Sequence, residues 1–100
     1  MAKILFFVTY EIDPKKRRDY LDSIKEYKSL IKSEGLLSYS LFEEKGKPNQ
    51  FREIFEFDSM ESFDDFDDAG NERLSLLNRK LESLKIAKST KSRTLIEVEI

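Results

Sequence analysis

The stretch Lys3 to Glu11 (KILFFVTYE) constrains this chain most. Side chains alternate along a strand, so Ile4, Phe6, Val8 and Tyr10 fall on one face and Leu5, Phe7 and Thr9 on the other. Both faces are nearly apolar. A strand that must hide both sides belongs in the middle of a sheet covered on both sides. The rest of the chain supplies helices for one side, and the second cover is expected from elsewhere, most simply from another copy of the chain.

Asp13-Pro14 reads as a helix start, with Asp as the cap and Pro at the first helical position. The spacing of Tyr20, Ile24, Tyr27 and Ile31 predicts an amphipathic helix to about Ser33, ended by Glu34-Gly35. The run Lys15-Lys16-Arg17-Arg18 in its first turns could hold a phosphate or carboxylate, or be a solvated face. Leu36 to Glu44 then alternates Leu37, Tyr39 and Leu41 against Ser38, Ser40 and Phe42, as a strand does. Lys45 to Asn49 is a turn, and Gln50 to Phe57 is the partner strand of a hairpin. Phe51, Phe55 and Phe57 share one face with Glu53, while Arg52, Ile54 and Glu56 share the other, which fits solvent or a lined cavity.

Asp58 with Glu61 has the form of a capping box opening a second helix. Its apolar stripe runs from Met60 to Leu84 across Gly70, which predicts one long helix or two collinear pieces, with Asn71 placed to cap the second. The acidic cluster fails as a calcium loop: with Gly70 as the loop glycine, ligand positions fall on Asp65, Asp67 and Ala69 and the bidentate acid on Leu76. No metal site is assigned. Ser89 to Arg93 reads as a connector and Thr94 to Ile100 as the last strand.

One hundred residues make one domain, residues 1–100. The 18 basic and 20 acidic side chains are nearly balanced, which gives no general pull toward nucleic acid or an anionic membrane. The apolar run Ile4 to Val8 is too short for a signal peptide or a bilayer span, so the chain is expected to be soluble and cytoplasmic. With no His, Cys or Trp, the usual general base, thiolate nucleophile and imidazole metal ligand are all missing.

The order strand, helix, strand, strand, helix, strand is that of an α+β, ferredoxin-like βαββαβ domain. It has a four-stranded antiparallel sheet, two helices on one face and the first strand central. With that order, the Asp13-Pro14 start, the FEFDSMESFDDF stretch of Phe55 to Phe66 and the final hydrophobic strand, the whole chain resembles the dimeric α+β barrel superfamily, in particular small proteins like the antibiotic biosynthesis monooxygenases. The resemblance implies a homodimer whose two sheets face each other around a pocket, and an activity, if any, that needs no cofactor. Members are described with Asn, Trp, Tyr or His in the pocket. Here Asn49, Asn71 and Asn78 fall in a turn or on the second helix, so no catalytic residue is carried over.

An inter-sheet pocket would take a small apolar ligand against Phe7, Ser38, Ser40, Phe42, Arg52, Ile54, Glu56 and Glu97. Glu56 and Glu97 would be its acid–base candidates, Arg52 would orient an anionic group, and Tyr39 or Tyr10 would donate a hydrogen bond if turned inward. The alternative is a non-catalytic dimerisation or stress-related module in which those charges form ion pairs that set register. An RNA-binding reading of the same topology meets Glu53 and Glu56 where a basic, glycine-containing pattern is needed.

Overall fold

The computed structural model describes residues 2–68 and 70–100. Strands β1 (Ile4–Glu11), β2 (Leu36–Glu43), β3 (Gln50–Phe57) and β4 (Lys91–Ile96) form one antiparallel sheet in the order β2-β3-β1-β4. The doubly apolar strand is therefore central, flanked by β3 and β4. Three helices accompany the sheet: α1 (Arg17–Leu30), α2 (Met60–Asp65) and α3 (Glu72–Leu84). The fold is α+β and ferredoxin-like.

One sheet face and the helices enclose the core. Ile4 and Tyr10 of β1, Tyr39 of β2 and Phe51, Phe55 and Phe57 of β3 are buried against Tyr20, Ile24 and Tyr27 of α1 and Leu74, Leu77 and Leu81 of α3. Phe63 of α2 and Phe66 beyond it complete an aromatic cluster with Phe6, Phe55 and Phe57, with ring centroids 5.2–5.8 Å apart. Among the described residues no element covers the opposite sheet face, and Phe42 (56 %) and Leu95 (46 %) remain substantially exposed there.

Four sequence expectations shift, each for a local reason. The first helix is preceded by a tight turn at Pro14–Lys16 and ends at Leu30, because Ile31 is already extended and its N–H bonds back to the Tyr27 carbonyl. Gly35 therefore does not cap that helix. It makes the turn into β2 at φ +86°, packed so closely on the α2 entrance that a Cβ would sit 2.0 Å from the Ser62 hydroxyl. Gly35→Ala is expected to destabilise the protein by about 1–3 kcal/mol, read as a lower urea midpoint with unchanged m-value.

The second helix is two pieces. Ser59, not Asp58, caps α2 by accepting from the Ser62 N–H, while Asp58 takes the Ser62 hydroxyl. Asn71 caps α3 through the Leu74 N–H. Ala69, the calcium-loop position, lies outside the described residues.

β4 starts three residues earlier than Thr94 and stops at Ile96. It pairs with β1, and β1 begins at Ile4, so the ladder runs out after the bond from the Glu97 N–H to the Lys3 carbonyl. Val98 and Ile100 are left exposed. A register shift between Leu36 and Ser38 in β2 turns Leu37 outward, 52 % exposed, although it was expected on the buried side with Tyr39.

Candidate functional site

The residues expected to line a pocket lie on the uncovered sheet face, grouped at two ends. At one, Glu56, Glu97, Leu5, Leu95 and Lys3 share a depression of about 360 Å³. Lys3 Nζ lies 3.5 Å from Glu56, the Ser38 hydroxyl donates to Glu56 at 3.3 Å, and Glu97 accepts from the Lys3 N–H at 3.2 Å. At the other end Phe42, Arg52 and Ile54 line a smaller depression of about 220 Å³ with Thr9. Arg52 lies across the face, its guanidinium 5.4 Å from the Phe7 ring centroid and its Nε donating to the Thr9 hydroxyl at 3.1 Å. Phe7, Ser38 and Ser40 line neither depression.

Tyr10 and Tyr39 point away from this face, into the core, and there the chain builds a different site. A cavity of about 370 Å³ lies between the sheet and the helices, walled by Phe6, Phe55, Phe63 and Phe66 and by polar groups including Glu53, Asp68 and Lys85. Glu53 is its floor, 7 % exposed. It stands on the helix-facing side of β3 because strand alternation places it with Phe51 and Phe55. The Tyr39 hydroxyl donates to Glu53 Oε1 at 2.5 Å, and the hydroxyls of Tyr10 and Tyr20 are 2.5 Å apart beside it. The Tyr27 hydroxyl donates to Asp68 at 2.9 Å.

Lys85 reaches this site because the chain after α3 zips onto the end of β1. The Asp13 N–H bonds to the Leu84 carbonyl and the Ile86 N–H to the Glu11 carbonyl. That holds Lys85 Nζ 4.1 Å from the Tyr10 ring centroid and 2.8 Å from Glu82.

Burial pushes the Glu53 carboxyl above the usual range, against the pull of hydrogen bonds from Tyr39 and Tyr10 and of the Lys85 charge. The Asp68 charge adds to the rise. Burial first, with the Glu53 charge contributing to each, also raises Tyr10, Tyr20, Tyr27 and Tyr39, which keeps them protonated donors. A carboxyl of raised pKa in an aromatic cavity, next to linked tyrosine hydroxyls, can hold or pass a proton. Sequence reasoning left Glu53 without a role. Its signal was one carboxylate on an otherwise all-phenylalanine strand face.

The two arginines of the basic run at the start of the first helix are engaged elsewhere. Arg17 forms a forked ion pair with Glu43, at 2.6 and 2.9 Å, and donates to Asn49, while Arg18 faces Asp22. This pair ties α1 to the β2–β3 turn. Among the described residues no three His, Cys, Asp or Glu side chains converge on a metal position, and no helix is long and apolar enough to cross a membrane.

Solved structures share this architecture. A conserved protein from Methanosarcina mazei superimposes with a TM-score of 0.78 at 18 % identity, over 95 % of this chain and 92 % of that one. A Caulobacter crescentus protein proposed to be an antibiotic biosynthesis monooxygenase gives 0.82 at 16 %, over 98 % and 92 %. A structure titled antibiotic biosynthesis monooxygenase gives 0.69 at 17 %, over 100 % and 99 %. At these identities the likeness is one of fold. No curated protein matches. The sequence model for "Antibiotic biosynthesis monooxygenase" matches residues 4–71, from β1 through the cap of α3 and including Glu53, and the chain belongs to that family.

Proposed function

We propose that the protein is a cytoplasmic homodimer that binds a small, largely apolar molecule in the cavity between sheet and helices, as a monooxygenase-like protein without a cofactor. The observation that carries this reading is the deeply buried carboxyl of Glu53 at the floor of an aromatic cavity of about 370 Å³, within the size range of small-molecule sites. In this reading Glu53 is the acid–base group, and Tyr39 and Tyr10 fix its orientation. The dimer closes sheet face on sheet face, covering Leu5, Phe7, Phe42, Ile54 and Leu95. Val98 and Ile100, exposed beyond the end of the β1–β4 ladder, extend the same need for a partner.

A second reading puts the ligand between the two sheets of the dimer, with Glu56 and Glu97 as acid–base groups beside Ser38, Ser40 and Arg52. What favours it is the pair of depressions on the open face, which a second sheet would roof. In the non-catalytic alternative the same face serves dimerisation alone.

Light scattering on a size-exclusion column is expected to return twice the 11.8 kDa of one chain, and Ile54→Glu to return a folded monomer. Small aromatic compounds that raise the melting temperature should lose that effect with Asn78→Phe, which fills the cavity, and keep it with Arg52→Ala. The reverse pattern would move the ligand to the inter-sheet pocket. A wild-type monomer on dilution to about 1 μM would sink the dimer.

A further inference from the structure

The hydrogen-bonding capacity left over in the helix-side cavity points to the chemistry of its ligand. Its tyrosine hydroxyls and one Asn78 amide N–H are already engaged within the protein, while the Thr90 hydroxyl remains a donor. Tyr39 donates to Glu53, Tyr27 to Asp68, and the Asn78 amide to the Asp68 carbonyl. Tyr10 shares a hydrogen bond with Tyr20. What remains is mostly acceptor capacity, on the second oxygens of Asp68 and Glu82 and the remaining lone pairs of Glu53. Three carboxylates stand against one ammonium, Lys85, which is engaged with Glu82. Around them the walls are ring faces and edges of Phe6, Tyr10, Tyr27, Phe55, Phe63 and Phe66.

We propose that this cavity recognises a small organic cation, an aryl- or alkylammonium, seated on the aromatic walls and paired with Glu53. The inference rests on the reading that this cavity is the ligand site. Aromatic faces attract cations through the ring quadrupole, more strongly when water is excluded. Lys85 shows the effect within the chain, its ammonium held against the Tyr10 ring with a side chain only 10 % exposed. An anion would meet the three carboxylates. A neutral molecule would gain the rings but no ion pair with Glu53.

Cation uptake draws Glu53 into its ionised form, so binding releases a proton and tightens as pH rises. The groups facing Glu53 are Tyr10 from β1, Tyr20 and Tyr27 from α1, Tyr39 from β2, Asp68 from the α2–α3 connection, and Glu82 and Lys85 at the end of α3. The tyrosines stay protonated throughout.

The test is calorimetric titration of the full chain with benzyltrimethylammonium, against benzyl alcohol as the neutral probe and phenylacetate as the anionic one. The cation is expected to bind at least about tenfold more tightly than either, and more tightly at pH near 8 than near 5. Glu53→Gln should remove both differences and leave benzyl alcohol unchanged. If benzyl alcohol or phenylacetate binds as tightly as the cation and Asn78→Phe weakens it, the cation inference falls and the cavity stands. Cation binding that ignores both Glu53→Gln and pH also overturns the inference. If no probe binds, or Asn78→Phe changes nothing, the cavity reading falls with it.

Discussion

Phe57→Ala lowers the stability of this protein by about 3–5 kcal/mol, a large share of the roughly 5–15 kcal/mol available to a domain. Phe57 is 0 % exposed, and its ring lies 5.2 Å from Phe66, 5.5 Å from Phe63 and 6.5 Å from Phe55. Truncation loses the burial of the ring and leaves a void that three neighbouring rings cannot close without leaving their own contacts. The melting temperature should fall by roughly 15 °C or more, given some 4–8 °C per kcal/mol for a domain this small. Urea unfolding with an unchanged m-value measures the loss. Phe42→Ala in the Ile54→Glu background is the control, since Phe42 is 56 % exposed in a single chain and should cost under about 1 kcal/mol there. Equal losses at the two sites would contradict the packing described above.

Glu53→Gln flattens the pH dependence of stability above the ordinary carboxylate range. Burial raises the folded-state value of Glu53 above its ordinary 4.5, so across the interval between the two the native chain holds a proton that the unfolded chain has released. Stability from this group is therefore complete below about pH 4.5 and falls as pH rises toward the folded-state value, by up to about 1.4 kcal/mol for each pH unit inside the interval.

Glu43 works in the opposite sense. Its hydrogen bonds with Arg17 and the Asn49 N–H hold it down to about 2, so its contribution is present above the ordinary Glu value and is lost as pH falls toward that figure. It is a surface group and its share is small. Urea midpoints of the wild type and Glu53→Gln, compared across pH 3 to 8, should converge at the acid end and separate as pH rises, the variant becoming the more stable. Parallel profiles would mean that Glu53 ionises as an ordinary surface carboxylate does.

Residue periodicity by itself determined the scaffold. The two apolar faces of Lys3 to Glu11 put that strand at the centre of the sheet, and the hairpin from Leu36 to Phe57 and the helical stripe through Tyr20, Ile24 and Tyr27 were legible because burial on one side imposes a period of two or of three to four. The open sheet face was legible for the same reason, since alternation alone sorts Arg52, Ile54 and Glu56 from Phe51, Phe55 and Phe57.

What tertiary structure decided was where elements stop and which polar group is buried. β4 ends where its partner β1 has no more backbone to offer. The second helix breaks before Asn71, although its apolar stripe continues past the break. Glu53 became the candidate acid of the site only because α1 and α3 close over its strand and three tyrosine hydroxyls from separate elements gather around it. A local pattern records which face of an element is wet or dry, whereas the pKa of a carboxyl depends on atoms far away in the chain, and those meet only on folding.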